Sequence, residues 1–507
     1  GGYRMGIDQK ASLSIMDYIL ENIQDDGMLA SEFCVNIEYE KNRAKSEIKF
    51  VDGFSDGGMM YHCATNEQDA KPLFEVLHLI SNKKFEEAQN LLDVYFCDMQ
   101  SVDTLSIIDD VQKWIYDNSK ELNASNIANF SFHMLSLSRN IEAIKFSLSL
   151  LELFDLSDME ECRIAIKNLA LCNEFTLFCI FAINSWPDKN ELIFEMAQKV
   201  RGWGRVFAIA RLEPETEAIK KWLLDEGQNN EILDEYSALE IANKINIAEL
   251  VKDKNITNKT YKNLGKLISN LLTEGPVAGI SALDNKDDVI EQYLLRAAEQ
   301  KNDIRDYEII YNILEYIHGL NDNPKQYHLK QLCGALLVTV QCKKTIEKAL
   351  EEGDGFYLAK NMQMNYYEAA LKCIKKDPLK HINLLELVLN DDTDNNNKVI
   401  DLYTQILPLD KIATGPEDII GFGHELSTDI LNLSSILSQL FDRPGLGEKL
   451  LICALNSLST QNRNSALNVI ENWRDKKLEI SVEVKSALQK LKKVEVNEKL
   501  KERLRNF

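Results

Sequence analysis

Three arginines, Arg201, Arg205 and Arg211, fall in one short stretch that also holds Trp203 and no acidic residue. The whole chain has 14 arginines, so this is a local concentration of the side chain best shaped for forked hydrogen bonds to carboxylate or phosphate. On a wheel of about 3.6 residues per turn, Trp203, Val206, Phe207 and Ala210 share one face, and Arg201 and Arg205 the other. The spacing therefore predicts a helix with two guanidinium groups turned outward. Its chemistry would be capture of a protein or peptide partner, anchored by Arg201, Arg205, Arg211 and Trp203. Two other uses compete. The arginines could pair with Glu213, Glu215 and Glu217 as a solvated network worth little, or bind phosphate, which requires several neutralised charges. A secondary contact surface is expected at Phe54–His62. There Asp56-Gly57-Gly58 reads as a hairpin turn, and Asp56, Met59, Met60 and Tyr61 would be adaptable contacts.

Metal and catalytic patterns fail on their spacing. Asp392, Asp394 and Asn396 match three positions of a calcium loop, but Asn397 stands where its glycine belongs and Tyr403 where its bidentate glutamate belongs. A solvated polar loop is expected instead. Cys172 and Cys179 have core spacing on one helix face, and His62 and Cys63, adjacent in an expected strand, point to opposite sides. Gly421-Phe422-Gly423-His424 lacks both a preceding strand and the Gly-Lys-Ser/Thr end of a phosphate loop. No H-E-x-x-H occurs. No catalytic set, metal or cofactor is therefore expected.

The elements that must position these residues are helices. The chain of 507 residues is 45% hydrophobic and 27% charged, a globular composition. The formal charge of −22 disfavours nucleic acid and anionic membranes as partners. A local basic excess lies between Lys485 and Arg505. No apolar run reaches the length of a membrane span, and the N-terminus lacks a basic-then-apolar export signal. Ten scattered cysteines read as reduced core thiols, so a cytoplasmic location is expected.

Residues 8–25 read as a helix. Phe33, Val35, Ile37 and Tyr39 alternate with polar residues and pair with Ile48–Val51 as an expected hairpin. From Ala70 onward apolar residues recur at helical spacing, with short polar connections. Pro214 is placed where a helix reopens, and Gly227 where one ends. Three segments follow: 1–66, an N-terminal helix plus a short β-hairpin cap; 67–275, a first helical-repeat segment; and 276–507, a second one ending in paired helices.

Leu450–Trp473, with paired helices, a polar turn and a second helix opening after Arg463, resembles the HEAT repeat, and Ser136–Phe154 resembles a second copy of the turn and inner helix. The stretches FSDGGMMYH (Phe54–His62), EAIKFSLSLLELF (Glu142–Phe154), CNEFTLF (Cys172–Phe178) and GWGRVFAIARLEPETEAIKKWLL (Gly202–Leu224) are similar to an uncharacterised bacterial family often labelled limonene hydroxylase. The expectation is a mainly α protein: an α-α superhelix of HEAT or armadillo type with a small N-terminal α/β cap. The resemblance implies a non-catalytic scaffold holding a partner on its concave face. Its alternative is an enzyme on a HEAT-like scaffold, similar to the alkylpurine DNA glycosylases or matching the hydroxylase label. The residues carry no haem-ligand cysteine motif, no dinucleotide fingerprint and no two-His-one-carboxylate cluster for that label.

Overall fold

A computed structural model describes residues 13–39, 50–64, 68–97, 102–419 and 424–507. Among these residues the protein is mainly α, with thirty α-helices and no strand. It divides into two compact units that meet in sequence at Leu337 and Val338.

In the first unit the helices are α1 (Ile15–Glu21), α2 (Val35–Tyr39), α3 (Phe54–His62), α4 (Lys71–Ser81), α5 (Phe85–Tyr95), α6 (Thr104–Asp117) and α7 (Ala124–Leu137). Then come α8 (Ile141–Leu151), α9 (Glu160–Leu169), α10 (Thr176–Ala182), α11 (Lys189–Lys199), α12 (Trp203–Arg211) and α13 (Glu217–Trp222). The rest are α14 (Glu235–Lys244), α15 (Ile247–Leu250), α16 (Asn258–Leu272), α17 (Lys286–Glu299), α18 (Ile304–His318) and α19 (Pro324–Leu337). Neighbours in sequence pair, as in α4 on α5, α7 on α8, α11 on α12 and α18 on α19. Alternate helices also touch: α8 on α10, α10 on α12, α12 on α14, α14 on α16 and α16 on α18. Each helix thus buries one apolar stripe against its partner and another against the next pair, the packing of a helical array.

Helix starts follow from side-chain caps that satisfy orphan backbone donors. Asn140 accepts from the Ala143 amide to open α8, Thr216 from Ile219 to open α13, and Asp303 forms a capping box with Asp306 at α18. Pro214 lies ahead of α13 rather than inside it. Gly227 ends a π-turn (Leu223–Gly227) and is small because a Cβ there would meet the Trp222 ring at 2.8 Å.

The N-terminal β-hairpin cap is corrected. Val35–Tyr39 and Phe54–His62 are both helical, so the Asp56-Gly57-Gly58 hairpin turn is a helix interior. Residues 48 and 49 of the other expected strand lie outside the described residues. Alternation over so few residues is ambiguous, since positions 35 and 39 share a helix face as well as a strand face. Tertiary contacts decide: the Asp52 carboxylate accepts from the amides of Val35 at 2.9 Å and Asn36 at 3.2 Å, capping α2.

In the second unit, helices Ser427–Leu440, Glu448–Leu455, Thr460–Asp475 and Val482–Val494 pack in the same neighbour-and-next manner. Arg463, in the first turn of Thr460–Asp475, is fully buried. It forks onto Glu495 with two bonds of 2.8 Å and donates to the carbonyls of Glu417 and Ser457. The Asp-rich stretch is a helix start rather than a loop. Asp392 caps Thr393–Ile406 by accepting from the Asn395 amide, and buried Asn396 bonds both backbone groups of Asn390. The 421–423 glycine stretch lies outside the described residues.

Candidate functional site

The arginine stretch is placed unevenly. The α12 helix begins only at Trp203, so Arg201 precedes it and is exposed. Arg205 is 8% exposed and points inward. Its Nε donates to the carbonyls of Ala197 and Val200, its Nη1 to Asn229 at 2.9 Å, and its guanidinium covers the Trp222 ring. It closes the carboxyl end of α11 and the loop after α13, a burial that holds its pKa below the usual arginine value, with Arg201 adding repulsion. Arg211 is half-buried over Phe181, its pKa also lowered by burial. Trp203 is core: its ring packs on Tyr61, Phe207 and Tyr236 and leaves no room for a side chain at Gly53 or Gly57.

The secondary contact residues part company in the same way. Asp56 is 1% exposed and Tyr61 half-buried, while Met60 is exposed and Met59 half-buried. Asp56 belongs to a cluster that sequence reasoning missed. Lys145 on α8 is fully buried and donates to Asp56 Oδ2 at 2.9 Å, Glu174 Oε1 at 2.6 Å and Glu142 Oε1 at 3.3 Å. Glu174, in the tight link between α9 and α10, also accepts from the Gly53 amide at 2.5 Å and Asn36 Nδ2 at 2.6 Å. Asp52 sits beside this group and receives the thiols of Cys34 and Cys172.

Burial dominates the electrostatics. It pushes Asp56 up to about 7 against the attraction of Lys145, and Asp52 up to about 6 with repulsion from Glu174 added. Burial acts to lower the Lys145 pKa, but its three carboxylates outweigh that and hold it well above the ordinary lysine value. Burial would raise Glu174, yet Lys145 and the surrounding donors keep it below the ordinary glutamate range. The signal was present in the sequence. Lys145 has Ile141 and Leu148 on its own helix face, so a charge stands on the apolar stripe of α8. The four motif stretches quoted above meet here, supplying Asp56, Glu142, Lys145, Glu174 and Trp203.

Asp52, Cys172 and Arg201 line a small pocket of about 20 Å³, and larger grooves lie elsewhere. A groove of about 590 Å³ runs between α10, α11 and the end of α12. Its floor includes Phe181, Ile193 and Trp186, and Arg211 stands at one side. Glu152, Glu191, Glu213 and Glu215 line it and make no ion pair among the described residues. Trp186 is 3% exposed, and its indole N–H has no acceptor among the described residues. A second groove, of about 540 Å³, lies in the other unit between Ser434, Ser438, Ser465 and Asn468. No group of His, Cys, Asp and Glu with metal-binding geometry occurs among the described residues, and no described helix is long and apolar enough to cross a membrane.

Set against protein-family models, curated proteins and solved structures, the chain matches none of them. What the geometry defines, among the described residues, is a helical protein whose helices pack pairwise.

Proposed function

We propose that the chain is a non-catalytic scaffold, an α-α array of HEAT type, that holds a partner protein through a cationic segment seated in the groove between α10, α11 and α12. The observation that carries this reading is the charge of that groove. Four carboxylates without ion partners line an apolar floor, so a Lys- or Arg-bearing segment could lay its aliphatic stems on Phe181 and Ile193 and meet Glu191, Glu213 and Glu215. The partner role thus rests on the carboxylates of the groove, while Arg205 and Trp203 hold the array in shape. The overall charge of −22 points the same way.

A short peptide carrying several lysines and arginines tests it, with an acidic peptide of equal length as control. Affinity for the cationic peptide should fall at least about tenfold, roughly 1.4 kcal/mol, in a Glu213→Lys/Glu215→Lys variant. The same charge change at exposed Glu86 and Glu87 on α5 should leave it unchanged. Equal losses from both variants, or no binding at all, would discard the groove as a docking site.

A further inference from the structure

Lys145, Asp56 and Glu174 are 0%, 1% and 4% exposed, so the three groups meet in a dry site. With Glu142, three carboxylates surround one ammonium. Like charges that close, removed from water, cannot all persist, and one carboxyl takes up a proton. Asp56 is that group. Its Oδ1 is buried with no hydrogen-bond donor among the described residues, whereas Glu174 is held as a carboxylate by Lys145, the Gly53 amide and Asn36. The result is a neutral carboxylic acid 2.9 Å from a lysine nitrogen, with a carboxylate base 2.6 Å away on that same nitrogen. The Phe178 ring closes the site 5.4 Å from Nζ.

We propose that Lys145 and Asp56 condense to an intramolecular amide that ties α8 to α3, with Glu174 as the proton carrier. Glu174 takes one proton from the Lys145 ammonium, and the freed Nζ lone pair attacks Cγ of the neutral Asp56 carboxyl. The tetrahedral adduct passes its second nitrogen proton through Glu174 to the departing hydroxyl. The C–O bond breaks, one water leaves and the amide C–N bond remains. The balance is one ammonium, one carboxylic acid and one carboxylate giving one amide, one water and one protonated Glu174. Nothing is oxidised, and no co-reactant is needed. The amine is the minor form of Lys145, which slows a reaction that each molecule undergoes only once. Two things favour the product. It replaces a buried ion pair with neutral groups, whose desolvation costs less. It also gives the Asp56 carbonyl oxygen, now without a donor, the new Glu174 O–H as a partner.

The test is the mass of the full-length protein after denaturation, followed by tryptic mapping. The protein should be lighter than its sequence by one water. Trypsin should fail to cut after Lys145, and a branched peptide should join the Asp56 and Lys145 segments. A cyclic imide at Asp56-Gly57 would also lose one water, but it leaves Lys145 cleavable, so the map separates the two. Glu174→Gln keeps the side-chain shape without the base and should return the full sequence mass. Wild-type protein at full mass, or a peptide ending at Lys145 recovered in full yield, would overturn the proposal whether or not any variant folds. An amide that still forms in Glu174→Gln would overturn the proton carrier. None of these outcomes bears on the groove, whose peptide assay stands apart.

Discussion

Two adjacent glycines in α3 carry opposite meanings. A Cβ on Gly57 would lie 2.7 Å from three ring carbons of Trp203, itself locked against Phe207 and Tyr236. A Cβ on Gly58 would meet nothing closer than Ala64 at 4.0 Å. Gly57→Ala should therefore destabilise the protein by about 1–3 kcal/mol through overpacking. Gly58→Ala should stabilise it by about 0.5–1 kcal/mol, because alanine loses less chain entropy in a helix. Denaturant midpoints of the two variants check this, and equal shifts would show that the Trp203 contact does not bind α3. Arginine taught the same lesson about direction. The spacing of Arg201 and Arg205 suggested a shared outward face, but helical spacing says nothing of where a helix begins. Gly202 starts α12 one residue too late for Arg201 to join it, and Arg205 goes inward because long side chains can reach unpaired carbonyls at neighbouring helix ends. Replacing Arg205 by Glu would put a carboxylate among those carbonyls, so such a variant reports on folding and not on partner capture.

At the scale of elements, the N-terminal segment is fastened by carboxylates. Asp52 caps α2 and lies 5% exposed, with a pKa raised to about 6 by burial and by Glu174. A raised carboxyl pKa means that the folded form holds the proton more tightly than the unfolded chain. The stability from this source is complete below the ordinary value of 3.8 and is lost as pH rises through about 6. Hydrogen exchange of residues 33–39, corrected for its intrinsic pH dependence, should show α2 better protected at pH 5 than at pH 8. Asp52→Asn should flatten the difference; greater protection at pH 8 in the wild type would contradict the assignment. Helical elements were legible because their apolar period extends over many turns, as in α8 and α16. The short ones were not. In α2 only Val35 is buried, so its pattern held too little information to separate helix from strand, and Asp52, remote in sequence, made the choice.

For the whole molecule, the described chain contains thirty helices and no strand, so far-UV circular dichroism should give a strong double minimum without a sheet component. A sheet signal at the level of the expected N-terminal cap would reopen the reading of residues 33–62. The helical class was visible from Ala70 onward in sequence, although Thr460–Asp475 opens at its Ser459 cap, ahead of Arg463. The buried cluster was visible only as fragments, because a charge on an apolar stripe has no stated partner until distant segments are brought together.

That distance sets an order of events on the ribosome. The Lys145–Asp56 contact spans 89 positions and the Glu174–Gly53 contact 121, and Trp203, the lid on Gly57, emerges later still. Helix pairs such as α4 on α5 can close as soon as they leave the exit tunnel, whereas α3 must wait for α8, α10 and α12. At about 5–20 residues per second, that wait is on the order of ten seconds. During it Val35, fully buried in the folded protein, belongs to a nascent chain without its docking surface.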